Sequence, residues 1–157
     1  MCASRPPLSR ASRAPVSRGS RPTLTRNSRL PLKEKKRILV VDDKTSDIEL
    51  VKTCLEQASE YEVLGENNPK AAVAAAEKFK PHLILLDVRM PGLDGCELAA
   101  CIQANLQLCN VPIVFLTSLV TKKEVESGSG LMGRYPLLAK PIIFSDLVAC
   151  VRLHLRG

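Results

Sequence analysis

The chain has 157 residues, 45% apolar and 25% charged, enough for one soluble globular domain and little more. Aromatic residues make up 3% and Trp is absent, so any core must be aliphatic. The net charge of +7 is unevenly spread: residues 1–37 hold eleven Lys and Arg against one acid, residues 38–157 twelve against fifteen. The folded part is therefore mildly acidic, and a nucleic-acid argument from pI concerns the N-terminal stretch alone. No apolar run approaches the ~20 residues needed to span a membrane.

Residues 1–36 are low complexity. Ser-Arg occurs six times, and Pro recurs at 6, 7, 15, 22 and 31. Few apolar residues and repelling like charges predict a disordered tail. A weak anionic-surface or nucleic-acid binder, a targeting segment and a misplaced start codon all fit this composition. The prolines break an amphipathic helix, which favours a non-essential tail over a targeting signal.

From residue 37 the character changes. Ile38 to Val41 is a β-branched run that reads as a buried strand, ending at Asp42 and Asp43. Thr45 or Ser46 is placed to cap a helix whose apolar face is Ile48, Val51, Leu55 and Ala58. Tyr61 to Leu64 reads as a second strand. Asn68 and Pro69 start an Ala-rich helix that ends before Pro81. His82 to Asp87 is a third strand, Leu93 to Leu108 a third helix, and Val111 to Thr117 a fourth strand. Residues 121–133 are expected to be a helix shortened or broken by Gly128, Gly130 and Gly133. Leu137 to Ala139 is a fifth strand, and Phe144, Leu147, Val148, Val151 and Leu155 line one face of a last helix.

Five alternations of strand and helix predict an α/β fold: a (βα)5 doubly wound, five-stranded parallel sheet covered on both faces. Ligands bind such sheets outside the carboxyl ends of the strands. The residues there are Asp42 and Asp43, Asp87, Thr117 with Ser118, and Lys140. Three carboxylates so placed repel and raise one another's pKa, which a hard divalent cation relieves. Mg²⁺ takes a few carboxylates and shares its shell with phosphate. Lys140 offers a point charge and Thr117 a donor to phosphoryl oxygens, and Asp87 is placed as a nucleophile that forms an aspartyl phosphate. Singly, Asp42 and Asp43 read equally well as helix-capping acids, and Lys140 as a surface ion pair.

The motifs VVDD (40–43), LLDVRMPGLDG (85–95), IVFLTS (113–118) and LLAKP (137–141) resemble, in order, those of the receiver domain of two-component response regulators. The resemblance covers residues 37–156 and implies a flavodoxin-like fold, with the receiver domain expected over 37–157. It implies that Asp87 is the phosphoacceptor, and that Mg²⁺ is held by Asp43, Asp87 and the backbone carbonyl of Arg89, with Asp42 acting through water. It further implies that Thr117 and Lys140 contact the phosphoryl group and that Lys140-Pro141 is cis. The implied partners are a histidine kinase or a His-containing phosphotransfer protein, and a downstream protein. The chain is expected to be a cytoplasmic stand-alone receiver, not an enzyme, with no DNA-binding domain. A phosphorylation-independent interaction module of the same fold is the alternative. An aspartyl-nucleophile phosphohydrolase is disfavoured, because it needs an acid where this chain has Arg89.

Two positions depart from the family pattern. Leu137 replaces the aromatic residue three positions before the Lys, and Tyr135 is a doubtful substitute. Arg89 occupies a variable position at the mouth of the cleft.

The six Cys form no CxxC pair and show no His at metal spacing, which predicts reduced thiols, four of them in helical stretches. His82 and His154 are not placed for phosphotransfer.

Overall fold

The computed structural model describes residues 33–118, 131–132 and 134–156. The unit Glu34–Gly157 holds every element described below. The expected tail, apart from residues 33–36, lies outside the described residues.

The strands are β1 (Lys36–Val41), β2 (Tyr61–Glu66), β3 (Leu83–Asp87), β4 (Ile113–Thr117), β5 (Leu131–Met132) and β6 (Tyr135–Ala139). The helices are α1 (Thr45–Glu56), α2 (Ala72–Phe79, entered through a 3₁₀ turn at Pro69–Ala71), α3 (Gly95–Ala104) and α4 (Phe144–Leu155). The strand order is β2-β1-β3-β4-β6-β5. All neighbours are parallel except β5, which pairs antiparallel with β6. This is the expected doubly wound sheet of five parallel strands, with one short antiparallel strand added at the edge.

The apolar runs do not alternate with polar residues because both faces of the sheet are covered. On one face Leu39, Val41, Ile84, Leu86, Ile113 and Phe115 pack against Ala72 and Ala76 of α2 and Leu98, Ala99 and Ile102 of α3. On the other, Ile38, Val40, Leu83, Leu85, Val114 and Leu116 pack against Ile48, Val51 and Leu55 of α1 and Leu147 and Val151 of α4. Phe115 is the one aromatic ring among the largest fully buried side chains.

Several local expectations need correction. β5 takes the last residues of the segment expected to be a broken helix, and the rest of that segment lies outside the described residues. Helix α3 starts at Gly95 rather than Leu93, because Asp94 caps it: Asp94 Oδ1 accepts from the Cys96 amide at 2.7 Å, completing a capping box with Glu97. It ends at Ala104 rather than Leu108, because Asn105 turns extended, accepts from the Gln107 amide and donates to Glu77. Phe144 is 48% exposed, since it belongs to the first residue of α4, ahead of the turn carrying Leu147. Asn68 caps the 3₁₀ turn and Pro69 follows it, as the sequence indicates.

Gly95 is required by close approach. A Cβ there would overlap the Asp87 carbonyl oxygen and lie 2.9 Å from Val88 Cα, both backbone atoms that cannot swing away. The same residue donates its amide to the Val88 carbonyl at 2.9 Å, so α3 is docked against the end of β3. Gly95→Ala is therefore expected to lower stability by about 1–3 kcal/mol. Urea melts should show a lower midpoint with an unchanged slope; an unchanged midpoint would contradict the close packing.

Candidate functional site

The apolar run of β1 stops at Val41, and the next residue, Asp42, is fully buried. Its backbone amide continues the ladder to Glu66, while its Oδ1 accepts the Lys44 amide at 2.9 Å. This side-chain turn starts α1 at Thr45 with Lys44 as N-cap and no side-chain cap, so neither Thr45 nor Ser46 has the capping role expected of them. The turn also leaves Asp43 beside Asp42 at the carboxyl edge.

Asp87 is the last residue of β3 and is 6% exposed. In this strand order the crossovers from β1 and β3 leave in opposite directions, so their carboxyl ends form the switch-point crevice of the sheet. Carboxylate oxygens of Asp42, Asp43 and Asp87 all lie within 4.8 Å of one another there, the one such acid cluster among the described residues. Asp43 Oδ1 is buried with no hydrogen-bond partner among them.

Lys140 follows β6 and crosses to this cluster. Its Nζ lies 2.6 Å from Asp42 Oδ2, 2.8 Å from Asp47 Oδ2 and 3.3 Å from Asp87 Oδ1. The Lys140 amide also donates to the Thr117 carbonyl at 2.7 Å, and Lys140-Pro141 is cis. Thr117 is buried at the carboxyl end of β4. The structure thus brings Asp42, Asp43, Asp87 and Lys140 together and places Thr117 on the same edge. Arg89 is exposed in the loop after β3, where with Asp43, Pro91, Asp94 and Glu97 it lines an open cleft of ≈ 590 Å³.

Sequence reasoning missed Asp47. It lies in the first turn of α1, where an acid is already accounted for by the helix dipole, and no local signal ties it to a lysine 93 residues away. It also missed that Cys150 Sγ lies 3.7 Å from His154 Nδ1, one helical turn on. That nitrogen is engaged by the Cys150 carbonyl at 2.8 Å, and burial pushes the thiol up to about 11. The Cys described (54, 96, 101, 109 and 150) are free thiols. His82 stands at the amino edge, where its Nδ1 accepts the Arg37 amide.

The electrostatics follow from crowding. Burial, with the charge of Asp42 and to a lesser degree Asp43, raises Asp87 to about 6 against the pull of Lys140. Burial also raises Asp42, outweighing its bonds to Lys140 and Lys44. Burial alone would lower Lys140, but hydrogen bonds to Asp42 and Asp47 and the charges of Asp42 and Asp87 raise it well above the ordinary lysine value. The ammonium therefore stays charged, and Asp42 and Asp87 compete for it.

Chemically, the edge offers two buried carboxylates, a third with an unmet acceptor among the described residues, and an ammonium within reach of them. The fit to a hard cation is good. Both oxygens of Asp42 are engaged by Lys44 and Lys140, whereas Asp43 holds a buried oxygen with no partner among the described residues.

The site is thus an acid cluster at the switch point of a doubly wound sheet, with a lysine from the end of the last parallel strand crossing to it. The chain matches the family described as "Response regulator receiver domain" over residues 38–152 and belongs to that family. It is 38% identical over 122 residues to the alkaline phosphatase synthesis transcriptional regulatory protein PhoP of Bacillus subtilis, covering 77% of this chain and 49% of that protein. It is 35% identical over 107 residues to a protein-glutamate methylesterase/protein-glutamine glutaminase of Methanococcoides burtonii, covering 67% of this chain and 30% of that protein. The chain thus spans about half or less of the length of these relatives. Among solved structures, the receiver domain of a sensor histidine kinase of Pseudomonas aeruginosa, with a magnesium ion coordinated in its active site cleft, superposes with TM-score 0.66 at 27% identity, covering 78% of this chain and 99% of that one.

The raised pKa of Asp87 has a stability consequence with a definite sign. A carboxyl raised from 3.8 to about 6 holds its proton more tightly folded than unfolded. Its contribution is full below the unfolded value and is lost as pH rises through about 6. In chelator-containing buffer, Asp87→Asn should therefore stabilise the protein at about pH 7.5 more than at about pH 4, by on the order of 2 kcal/mol. Paired urea melts measure this; an equal effect at both pH values would contradict it.

Proposed function

We propose that residues 37–157 form a cytoplasmic phosphoacceptor that takes a phosphoryl group on Asp87 from a histidine kinase or a His-containing phosphotransfer protein and signals through contacts with another protein. The observation that carries this reading is the placement of Asp87, buried at the switch point among two further acids and 3.3 Å from the Lys140 ammonium. In the ionised state, an oxygen of Asp87 attacks the donor phosphorus. The bond from phosphorus to the donor breaks, and the leaving group takes the electron pair. Lys140 is the group closest to hand for an oxygen of the transferring phosphoryl, and Thr117 is assigned to another.

Asp43, Asp87 and the Arg89 carbonyl would hold Mg²⁺, with Asp42 acting through water. When bound, the ion would offset the carboxylates and the charge spread over the phosphoryl oxygens.

Arg89 stands two residues after Asp87 where an aspartyl phosphohydrolase needs its acid, so the reading stays with phosphoryl acceptance rather than turnover of phosphoesters. The transcriptional regulation and the esterase activity named for the two relatives are said of those proteins, of which this chain spans half or less. Among the described residues no helix is long and apolar enough to cross a membrane.

With Mg²⁺ and acetyl phosphate or phosphoramidate, the wild type is expected to gain one phosphoryl group by intact mass. Asp87→Ala is expected to gain none, and chelation to abolish the gain. Lys140→Ala should slow it about 10²-fold, the scale of losing one preorganised charged donor. No adduct on the wild type, or an equal adduct on Asp87→Ala, would sink the phosphoacceptor reading and leave the phosphorylation-independent interaction module.

A further inference from the structure

Asp47 is a close partner of Lys140 that the phosphoryl chemistry above does not use. A lysine ammonium has three N–H donors on a flexible stem and, unlike arginine, no planar fork to orient it. One anchor leaves it free to swing about that contact; two anchors on different elements fix it. Asp42, from the end of β1, and Asp47, from the first turn of α1, are its two hydrogen-bond acceptors, at 2.6 and 2.8 Å. Asp87 is the longer third contact at 3.3 Å.

The three contacts differ in what phosphorylation does to them. Forming an acyl phosphate takes the negative charge from the Asp87 carboxylate and places it, increased, on the phosphoryl oxygens, so the contact of Asp87 with Lys140 passes to the phosphoryl group. Asp42 and Asp47 keep theirs. Burial does not force Asp47 into the pair, since its side chain is 26% exposed and water is within reach.

We propose that Asp47 is a positioning residue for Lys140: with Asp42 it occupies two donors and leaves the third aimed at Asp87 and at a phosphoryl group carried there. This rests on the phosphoacceptor reading of Asp87. It assigns α1 a part in the chemistry that neither the motifs nor the acid cluster contain.

The test uses the whole chain with ¹⁵N-labelled lysine side chains. The Lys140 ammonium, identified by its loss in Lys140→Arg, is expected to exchange slowly with water in the wild type. Asp47→Ala should speed that exchange and lower the rate of phosphorylation by phosphoramidate about tenfold. Asp47→Asn keeps an acceptor oxygen in place, so it should retain the signal and stay within about threefold of the wild-type rate. An unchanged signal or an unchanged rate in Asp47→Ala overturns the proposal. So does equal loss in both variants, which would trace the effect to charge at the helix start. The ammonium signal needs no phosphodonor. A wild type that shows it but never gains a phosphoryl group would refute the reading of Asp87 while leaving the anchor measured.

Discussion

The cleft depends on one ammonium set among four carboxylates. Lys140 pairs with Asp42 across 98 residues of sequence and with Asp47 across 93. Asp42 is fully buried, and a carboxylate taken out of water without a partner costs several kcal/mol. The pair is therefore a condition for the end of β1 to lie where it does. Asp42 and Asp87 are both pushed up, chiefly by burial, with the charge of Asp42 adding to the rise of Asp87 and Lys140 pulling against both. A site held in this state has excess negative charge waiting for a cation, which is why the unsatisfied oxygen of Asp43 belongs to the same account.

The sheet supplies the geometry this ion cluster needs. β1 and β3 are neighbours, so Asp42 and Asp87 meet without any reach. β6 is three strands from β1, roughly 14 Å at the usual interstrand spacing, which is more than one lysine stem spans. The loops after β1 and β6 must lean toward one another over the end of β4. The Thr117 carbonyl, holding the Lys140 amide, is the point about which the second loop turns. The aliphatic layers on each face make this arrangement stiff: Val88 and Met90, flanking Arg89, are both buried, and α3 is docked on the end of β3 through Gly95.

Much of this was legible in the sequence because parallel strands covered on both faces leave a coarse signature. Four unbroken apolar runs, each stopping at a polar residue, located the strands and the edge where chemistry gathers. What was not legible depended on contacts rather than runs. Asp94 and Asn105 moved the ends of α3 by bonding to the backbone, a choice propensity cannot see. Lys44 took the N-cap of α1 because Asp42 had already turned the chain. β5 was lost because two residues carry no periodicity. Asp47 was lost because a first-turn acid has a sufficient local explanation, and its distant partner is silent in a single sequence.

The substitution at Leu137 changes how an event at Asp87 could leave the cleft. Leu137 is 7% exposed, faces Phe115 across β4 and β6, and sits in the layer beneath α2 and α3. With no hydroxyl, it has no solvent-bonded state to alternate with a buried one. Tyr135 lies on the same face two residues earlier, edge-on to Phe115 at 5.2 Å, with the Arg134 guanidinium 5.7 Å over its ring. That ring is held by both neighbours at the far end of β6 from Lys140, so it does not stand in for the missing aromatic. Charge offers a shorter path among the described residues. Lys140 bonds directly to α1, and whatever shifts its share between Asp47 and Asp87 pulls on the first turn of that helix. In this chain the ammonium at the centre of the cleft is thus also bonded to the first turn of α1.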